Sequence, residues 1–406
     1  MGREPDTEVV SVTQETTEEK KFKKPKKRSL WKRILLWFGI VIGAVVLFAV
    51  AGLTYLTLTE YRPADRETLT VTPPVGAKDG AQESADKTTL PAAPTETLIT
   101  LMTWNIGYGA LGDNADFFMD GGSGVYTADE KRVRDNLTEM YAKIGEVKPD
   151  ILLVQEIDED SSRSYGINEI GQLHEFLNGI GNGAYQSTFA YNFKAKYVPY
   201  PIPPVGRVNS GIQTLSKYRI TSAERVKLPT PFKWPIRIAN LKRCLSVQRI
   251  PVDGSGHELV LINLHLEAYD SGEGKIEQTK ILKGILEEEA AKGNYVIAGG
   301  DFNQTFSDAD VSAYPQQDGK WVAGKIDVTE YGEGLTFHTD TCAPTCRSLD
   351  QPLAGADRET FQFYVLDGFV VSSNVEVLSV KTIDLAFHAT DHNPVVMEVK
   401  LRKDTE

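Results

Sequence analysis

Six short polar signatures, each closing an apolar run, constrain this chain more than anything else in it: Thr103-Trp104-Asn105, Gln155-Glu156, Asn263-Leu264-His265, Gly300-Asp301-Phe302-Asn303, Leu366-Asp367 and Thr390-Asp391-His392-Asn393. The intervals between them are irregular, which excludes a local repeat or a finger-like metal site with closely spaced ligands. Acids, amides and imidazoles this far apart can meet only where a fold gathers distant strand ends at one rim.

The flanking patterns predict such a fold. Residues 97–104 alternate as a half-buried strand does and deliver Asn105 to a loop. Thr127 and Glu130 form a capping-box pattern before Val133, Leu137, Tyr141, Ile144 and Val147, a helical stripe that stops at Lys148-Pro149. The buried run 151–154 then places Glu156 at a strand end just after a helix, the αβ unit of an open sheet. A shorter helix is expected over 167–177, strands over 210–216, 245–250 and 259–263, and an amphipathic helix over 276–290. The short strand 295–298 ends at Gly299-Gly300, where absent side chains let the backbone turn tightly into Asp301. Strands over 361–366, 368–371, 375–380 and 395–401 close the chain.

Residues 34–58 carry no charge, and these 25 positions exceed the roughly 20 that cross a bilayer as a helix. Nine Lys and Arg lie between Lys20 and Arg33, whereas Glu60, Arg62, Asp65, Arg66 and Glu67 behind the run show no basic excess. The positive-inside rule keeps residues 1–33 in the cytoplasm as a basic tail and puts everything past Leu58 outside, a single-pass protein of the cell membrane with an extracytoplasmic main domain. A cleaved signal peptide is disfavoured by the length of the apolar run and the polar lead before it. The basic run sets orientation and touches anionic lipid.

Residues 59–96, rich in Pro, Thr, Ala, Asp and Lys, are expected to form an extended, disordered linker, leaving 97–406 as the ordered domain. Apolar residues make up 41% of the chain, with 16 Tyr and 16 Phe, enough for a sizeable core. Beyond residue 96 there are 30 Lys and Arg against 43 Asp and Glu, which excludes bulk phosphate attraction as a means of holding DNA and leaves only a local basic groove. Cys342 and Cys346 flank Ala-Pro-Thr and can form a small disulfide in an oxidising compartment. Cys244 sits in an alternating apolar stretch and reads as a buried thiol.

Cleaving a phosphoester requires a hard cation on the non-bridging oxygens, a polarised in-line water and donors to the transition-state oxygens. Glu156, without clustered Cys or His, suits Mg²⁺ better than zinc, because Mg²⁺ takes one or two protein carboxylates and keeps several waters. Asp301 and Asn303, two residues apart on one extended segment, would project to the same side and bring a base and an amide to that water. His265 and His392 would contact phosphate oxygens, and Asp367 would fix the tautomer of one of them. Singly each has a plainer reading: Asn105, Asn303 and Asp391 as turn or cap residues, Glu156 and Asp367 as salt-bridge acids, His265 as a core histidine, His392 as part of a turn before Pro394. Six coincident strand-end placements favour a site over six separate accidents. His174, His257, His338 and His388 lack such company.

In order and across about residues 97–401, these signatures together with Ser210-Gly211-Ile212 resemble the endonuclease/exonuclease/phosphatase superfamily. The resemblance implies an α/β fold, a four-layer αββα sandwich of two packed mixed sheets flanked by helices, with a Mg²⁺-dependent site at one rim and Mn²⁺ as the alternative ion. It implies Asn105, Glu156 and Asp391 at the metal, Asp301 with Asn303 on the attacking water, His392 oriented by Asp367 on the phosphate, and His265 as acid or phosphate donor. The apurinic-site repair branch resembles the chain less, since it carries Tyr where His265 stands; secreted deoxyribonucleases, sphingomyelinases and inositol-phosphate phosphatases carry His. Thr390 stands where Ser is usual.

The expected activity is that of a metal-dependent phosphoric ester hydrolase, first a nuclease-like phosphodiesterase tethered to the membrane. A phospholipid or inositol-phosphate phosphodiesterase or phosphatase is the alternative, and a catalytically silent binding module on the same fold is the alternative of another class. The implied partners are a phosphoester substrate (nucleic acid, phospholipid or inositol phosphate) and the membrane, through residues 34–58; no obligate protein partner is evident. Two stiff aromatic segments, 197–204 and 231–235, can line a cleft, stack bases, touch lipid or simply pack as surface loops. Lys194, Lys196, Arg207, Lys217 and Arg243 can contact phosphates near the site or be ordinary solvated surface.

Overall fold

A computed structural model describes Gly2 and residues 30–75, 90–181, 184–270 and 272–403. The basic residues from Lys20 to Arg28 and the middle of the expected linker, 76–89, lie outside the described residues. The chain divides into two units, Met1–Tyr55 and Leu56–Glu406.

Helix α1 (Leu30–Leu58), 29 residues with no buried side chain, makes up the described part of the first unit beyond Gly2, and its last three residues, from Leu56 on, belong to the second. It is long and apolar enough to cross a membrane. From Ile34 to its end the helix carries no charged side chain, so this stretch has no strongly polar face.

In the second unit the chain runs through β1 (Arg66–Thr68), β2 (Val71–Thr72), β3 (Ile99–Asn105), α2 (Glu130–Val147), β4 (Ile151–Asp158), α3 (Glu169–Ile180), β5 (Gln186–Val198) and β6 (Gly206–Ser216). It continues with β7 (Ser222–Lys227), β8 (Cys244–Pro251), β9 (Glu258–His265), α4 (Glu273–Ala291), β10 (Tyr295–Asp301), β11 (Gln304–Phe306), β12 (Gly324–Ile326) and β13 (Leu335–His338). β14 (Cys346–Arg347), β15 (Phe363–Tyr364), β16 (Asp367–Ser372), β17 (Val375–Thr382) and β18 (Val395–Leu401) complete it.

Two seven-stranded sheets result, one in the order β1-β7-β8-β9-β10-β16-β13, the other β17-β18-β3-β4-β6-β5-β2. Both mix parallel and antiparallel pairs: β9 with β10 and β3 with β4 are parallel, the other ladders antiparallel. Strand periodicity sorts the side chains into layers. Ile99, Leu101, Ile151 and Leu153 of one sheet face Leu259, Leu261, Tyr295, Ile297 and Phe369 of the other in a shared middle core. Met102, Trp104, Leu152 and Val154 point the opposite way, onto Leu137, Met140 and Ile144 of α2 and Leu173 and Leu177 of α3. Across the molecule Val260, Ile262, Val296 and Ala298 receive Leu282 and Leu286 of α4. This is the four-layer αββα sandwich, and it explains why the central strands read as unbroken apolar runs: both of their faces are covered.

Several expectations change in detail. Helix α2 is capped by Asp129, whose carboxylate accepts from Arg132 N at 2.7 Å, while the Thr127 hydroxyl donates to Ala110 O. Residues 361–366 do not form a strand of a large sheet; only Phe363–Tyr364 pairs, with β14, and Phe361 packs instead against Leu353 and Phe387 over a loop. Gly299 and Gly300 lie inside β10 rather than at a turn. A Cβ on Gly299 would meet Phe369 Cδ1 at 2.5 Å and Leu153 Cδ1 at 2.9 Å, so glycine lets the two sheets approach here. Cys342 and Cys346 are both free thiols, the first exposed and the second buried, so no disulfide joins them; Cys244 is a buried thiol.

The expected linker is only partly a linker. β1 pairs with β7 at one sheet edge, β2 pairs with β5 at an edge of the other, and Ala93 is fully buried. β5 and β7, unforeseen in the sequence, carry too many Lys, Arg, Glu and Asn for their alternation to stand out.

Candidate active site

Strand register assembles the site. Asp301, the last residue of β10, lies across from His265, the last of β9, and from Asp367, the first of β16. Leu261, Ile297 and Phe369 of these strands face the middle core. His265 and Asp301 lie four residues further along and Asp367 two residues back, so all three share that facing and emerge at the rim of the inter-sheet layer. In the opposing sheet Asn105 follows Ile99, Leu101 and Thr103 on the same inward side of β3.

Between the apolar core and this rim sits one polar layer that ties the sheets together. Gln155 Nε2 donates to Asn263 Oδ1 at 2.8 Å and to Thr103 Oγ1 at 3.1 Å. Asn263 Nδ2 donates to Gln213 O at 2.9 Å. Simple alternation would turn the next residue, Glu156, toward the helices. It does not, because β4 bulges against β6 between Val154 and Ile157, and Glu156 takes a left-handed φ of 51°. A bulge of this kind re-aims a side chain at the cost of local strain.

The carboxylates and imidazoles then converge. Asn105 Nδ2 donates to Glu156 Oε1 at 3.2 Å and to Asp301 Oδ2 at 3.1 Å, while Asn105 Oδ1 accepts from Gly107 N at 3.1 Å. His265 Nε2 stands 3.4 Å from Asp301 Oδ2 and 3.9 Å from Glu156 Oε1. His392 Nδ1 bonds Asp367 Oδ2 at 2.9 Å, which leaves Nε2 facing Asp301 Oδ2 at 3.8 Å. Asp391 lies beside His392 with its side chain buried. The loop holding this pair hangs on β3: Trp104 Nε1 donates to His392 O at 2.9 Å, and Thr390 Oγ1 donates to Asn105 O at 3.3 Å.

Asn303 departs from expectation. It takes a φ of 50°, which Asn tolerates better than most residues, so it and Asp301 do not project from one extended segment. Its Nδ2 donates to Leu266 O and its backbone N–H to Asp301 Oδ1, both at 2.9 Å. Asn303 thus braces Asp301 against the residue after His265. Among the basic residues singled out, Lys217 pairs with Asp150 before the first residue of β4, at the end opposite the site, and Arg207 pairs with Asp160. Arg243 comes close, its guanidinium 3.4 Å from His265 O, and Lys194 lies over the Tyr191 ring.

Burial governs the protonation of these groups. Burial and then the Asp367 carboxylate push the Asp301 carboxyl up to about 7. Burial and the nearby Glu156 raise Asp391 as well, against the opposing pull of His392. Burial opposes the charge on His392, but Cys346, Asp367 and Asp301 facing the ring outweigh it and hold its pKa well above the ordinary histidine value. Burial and Arg243 drive His265 well below that value, so its imidazole stays neutral.

Glu156, Asp301, Asp367 and Asp391 crowd a mostly buried space, and Asp367 Oδ1 has no hydrogen-bond partner. Ligand atoms of Asp301, Asp367 and His392 lie within 4.8 Å of one another, as do those of Cys346, Asp391 and His392. Such a cluster is costly alone and fits a hard divalent cation, whose charge offsets the repulsion and whose preferred donors are oxygens. A thiolate-bound ion fits poorly, since burial pushes the Cys346 thiol up to about 12 and keeps it protonated.

Three supports were not legible as such in the sequence. The Trp104 indole holds the His392 backbone, and the Gln155–Asn263 pair joins the sheets, although all three residues lie inside quoted signatures. Thr345 Oγ1 accepts from Leu366 N at 2.8 Å and Asp367 N at 3.2 Å, setting the carboxylate that orients His392. Thr345 has no motif, and only the folded loop brings it near.

The sequence pattern of the Endonuclease/Exonuclease/phosphatase family matches residues 102–392. No curated protein matches the chain. Among solved structures, an endonuclease/exonuclease/phosphatase from Beutenbergia cavernae DSM 12333 is similar with a TM-score of 0.51 at 20% identity, covering 75% of this chain and 72% of that one. The human Nocturnin catalytic domain gives 0.46 at 16% identity, with 78% and 97% covered. TDP2 from Caenorhabditis elegans gives 0.45 at 14% identity, with 75% of each chain covered. The first of these likenesses carries the fold.

Proposed function

We propose, from the premise that this chain belongs to the endonuclease/exonuclease/phosphatase family of hydrolytic phosphoesterases, that it is a membrane-tethered, Mg²⁺-dependent phosphodiesterase of nuclease-like action whose catalytic domain faces the extracytoplasmic side. One observation carries the reading: Asn105, Glu156, His265, Asp301, Asp367 and His392 meet at facing strand ends of two sheets.

Glu156, Asn105 and Asp391 are the residues that would hold the ion, which, when bound, neutralises the non-bridging phosphate oxygens and acidifies water. Asp301 accepts the proton of the attacking water; its raised carboxyl is a better base for this than an ordinary aspartate. Asn105 and Asn303 fix both of its oxygens, so it is positioned before substrate arrives. Asp367 accepts the hydrogen bond of His392 Nδ1–H, and the ring so held keeps an Nε2–H to donate to the phosphate as negative charge grows there. His265, kept neutral, donates its single N–H without adding charge.

The test is hydrolysis of bis(p-nitrophenyl) phosphate and of supercoiled plasmid by the full chain in detergent, with Mg²⁺, with chelator, and in a Glu156→Gln variant. Turnover should fall by at least about 100-fold in both of the last two conditions. Equal rates with Mg²⁺ and with chelator would refute the reading.

A further inference from the structure

The loop between β7 and β8 exposes large apolar side chains that the site does not use. Trp234 is 54% exposed and Ile236 is 65% exposed, on either side of Pro235 and at the start of the short turn Ile236–Ala239. Single exposed apolar residues are ordinary; these two matter because of what lies beside them. The Trp234 indole N–H donates to Thr57 Oγ1 at 3.3 Å, and Thr57 is the next-to-last residue of α1. Two residues after the helix, the Glu60 side chain is 1% exposed and pairs with Arg237 Nε at 2.9 Å and Lys242 Nζ at 3.5 Å. The loop is therefore fastened to the chain on both sides of the point where the apolar helix ends.

We propose that Trp234 and Ile236 insert into the headgroup–acyl boundary of the bilayer that α1 crosses, making the β7–β8 loop a second membrane contact. This rests on α1 being a membrane span. The uncharged run 34–58, at ~1.5 Å per residue, is longer than a hydrocarbon core of ~30 Å, so its last turn, with Thr57, emerges in the interfacial zone. Trp belongs in that zone: its ring enters the acyl boundary while its N–H keeps a polar partner, here Thr57. Lys233, exposed next to Trp234, is placed to meet lipid phosphates. The loop also reaches toward the site. Gln278 Nε2 donates to Pro229 O at 2.9 Å, and its Oε1 accepts from Glu267 N at 3.0 Å, two residues past His265. Lipid held at Trp234 is thus linked through one short loop to the strand end that carries His265.

The experiment uses the full chain reconstituted in phosphatidylcholine/phosphatidylglycerol vesicles, with Cys342→Ser removing the exposed thiol. A nitroxide is placed through Ile236→Cys or, as a reference, through Glu288→Cys on the exposed side of α4. Accessibility to oxygen and to a water-soluble nickel chelate is then read by power-saturation EPR. The label at 236 should be reached several-fold more by oxygen than by nickel, and the label at 288 the reverse. In a second variant, Trp234→Ser with Ile236→Ser, the label at 288 should gain mobility as the domain loses its second contact. Equal nickel access at both positions, or unchanged mobility in the double variant, overturns the proposal while resistance to carbonate extraction keeps α1 as a span. Release of the protein by carbonate overturns the span itself and the proposal with it.

Discussion

Glu169 opens helix α3 with a carboxylate that the fold buries completely. One oxygen accepts from Asp158 N at 2.9 Å, and the other has no partner. Its neighbour Asp158 is compensated by Arg163, which reaches it at 3.0 and 3.2 Å, but Glu169 faces no such cation within bonding distance. Burial and then Asp158 therefore raise the Glu169 carboxyl well above its ordinary value. The native state holds a proton here that the unfolded chain releases, so stability from this group is full below the unfolded pKa and is lost as pH rises through the folded one. Each unit of separation between those values is worth about 1.4 kcal/mol. Glu169→Gln keeps the acceptor for Asp158 N and removes the charge. The variant should melt close to wild type at pH 4 and above it at pH 8, as read by thermal melting of the full chain in detergent. A pH-independent difference between the two proteins would show that Glu169 is ionised and satisfied in the native state.

Single strands did not build the site; pairs of strands did, and that decided what the sequence could disclose. Asn105, His265 and Asp301 were legible because each ends a regular strand whose own alternation predicts which way the side chain faces. Glu156 was legible as a residue but its direction was not, since the bulge that turns it inward exists only against β6. Asn303 was misplaced for the same reason: its turn is set by Leu266, far off in sequence. The polar brace shows what such pairings are worth. Asn263 on β9 spends its amide on Gln155 of β4 and on the backbone of β6, joining the two sheets directly beneath the rim. Asn263→Leu would preserve size while removing the inter-sheet acceptor of Gln155 Nε2, which keeps only Thr103, and the side-chain donor to the buried Gln213 carbonyl. A loss of roughly 2–4 kcal/mol is expected. Activity should fall with it, because Glu156 is the next residue along from Gln155. Calorimetric melting and diester hydrolysis on the same preparation check both effects; a variant with wild-type Tm would mean that the sheets are held by the apolar core alone.

At the scale of the whole molecule, two open seven-stranded sheets pose an edge problem, since an unpaired edge strand is a template for aggregation. The chain answers it with the segment that composition marked as a linker. β1 closes the β7 edge of one sheet and β2, two residues later, closes the β5 edge of the other, so one short strap seals the same flank of both layers. Tyr61 packs edge-on to Tyr191 at 6.2 Å, and Leu69 packs against the middle core. Further along, Ala93 N donates to Pro251 O and Ala93 O accepts from Asp253 N, both at 2.8 Å. Pro and Thr content hid this role, because strap residues earn burial from partners more than 100 positions away and show no periodicity of their own. Two soluble variants separate strap from linker: one beginning at Glu60 and one at Thr97. The Glu60 variant should be monomeric on size exclusion and melt as a single transition. The Thr97 variant retains every candidate site residue yet bares the β5 and β7 edges, so it should self-associate and melt several degrees lower. Equal monomer fractions and equal Tm would return residues 60–96 to the status of a tether and leave the edges protected by something other than β1 and β2.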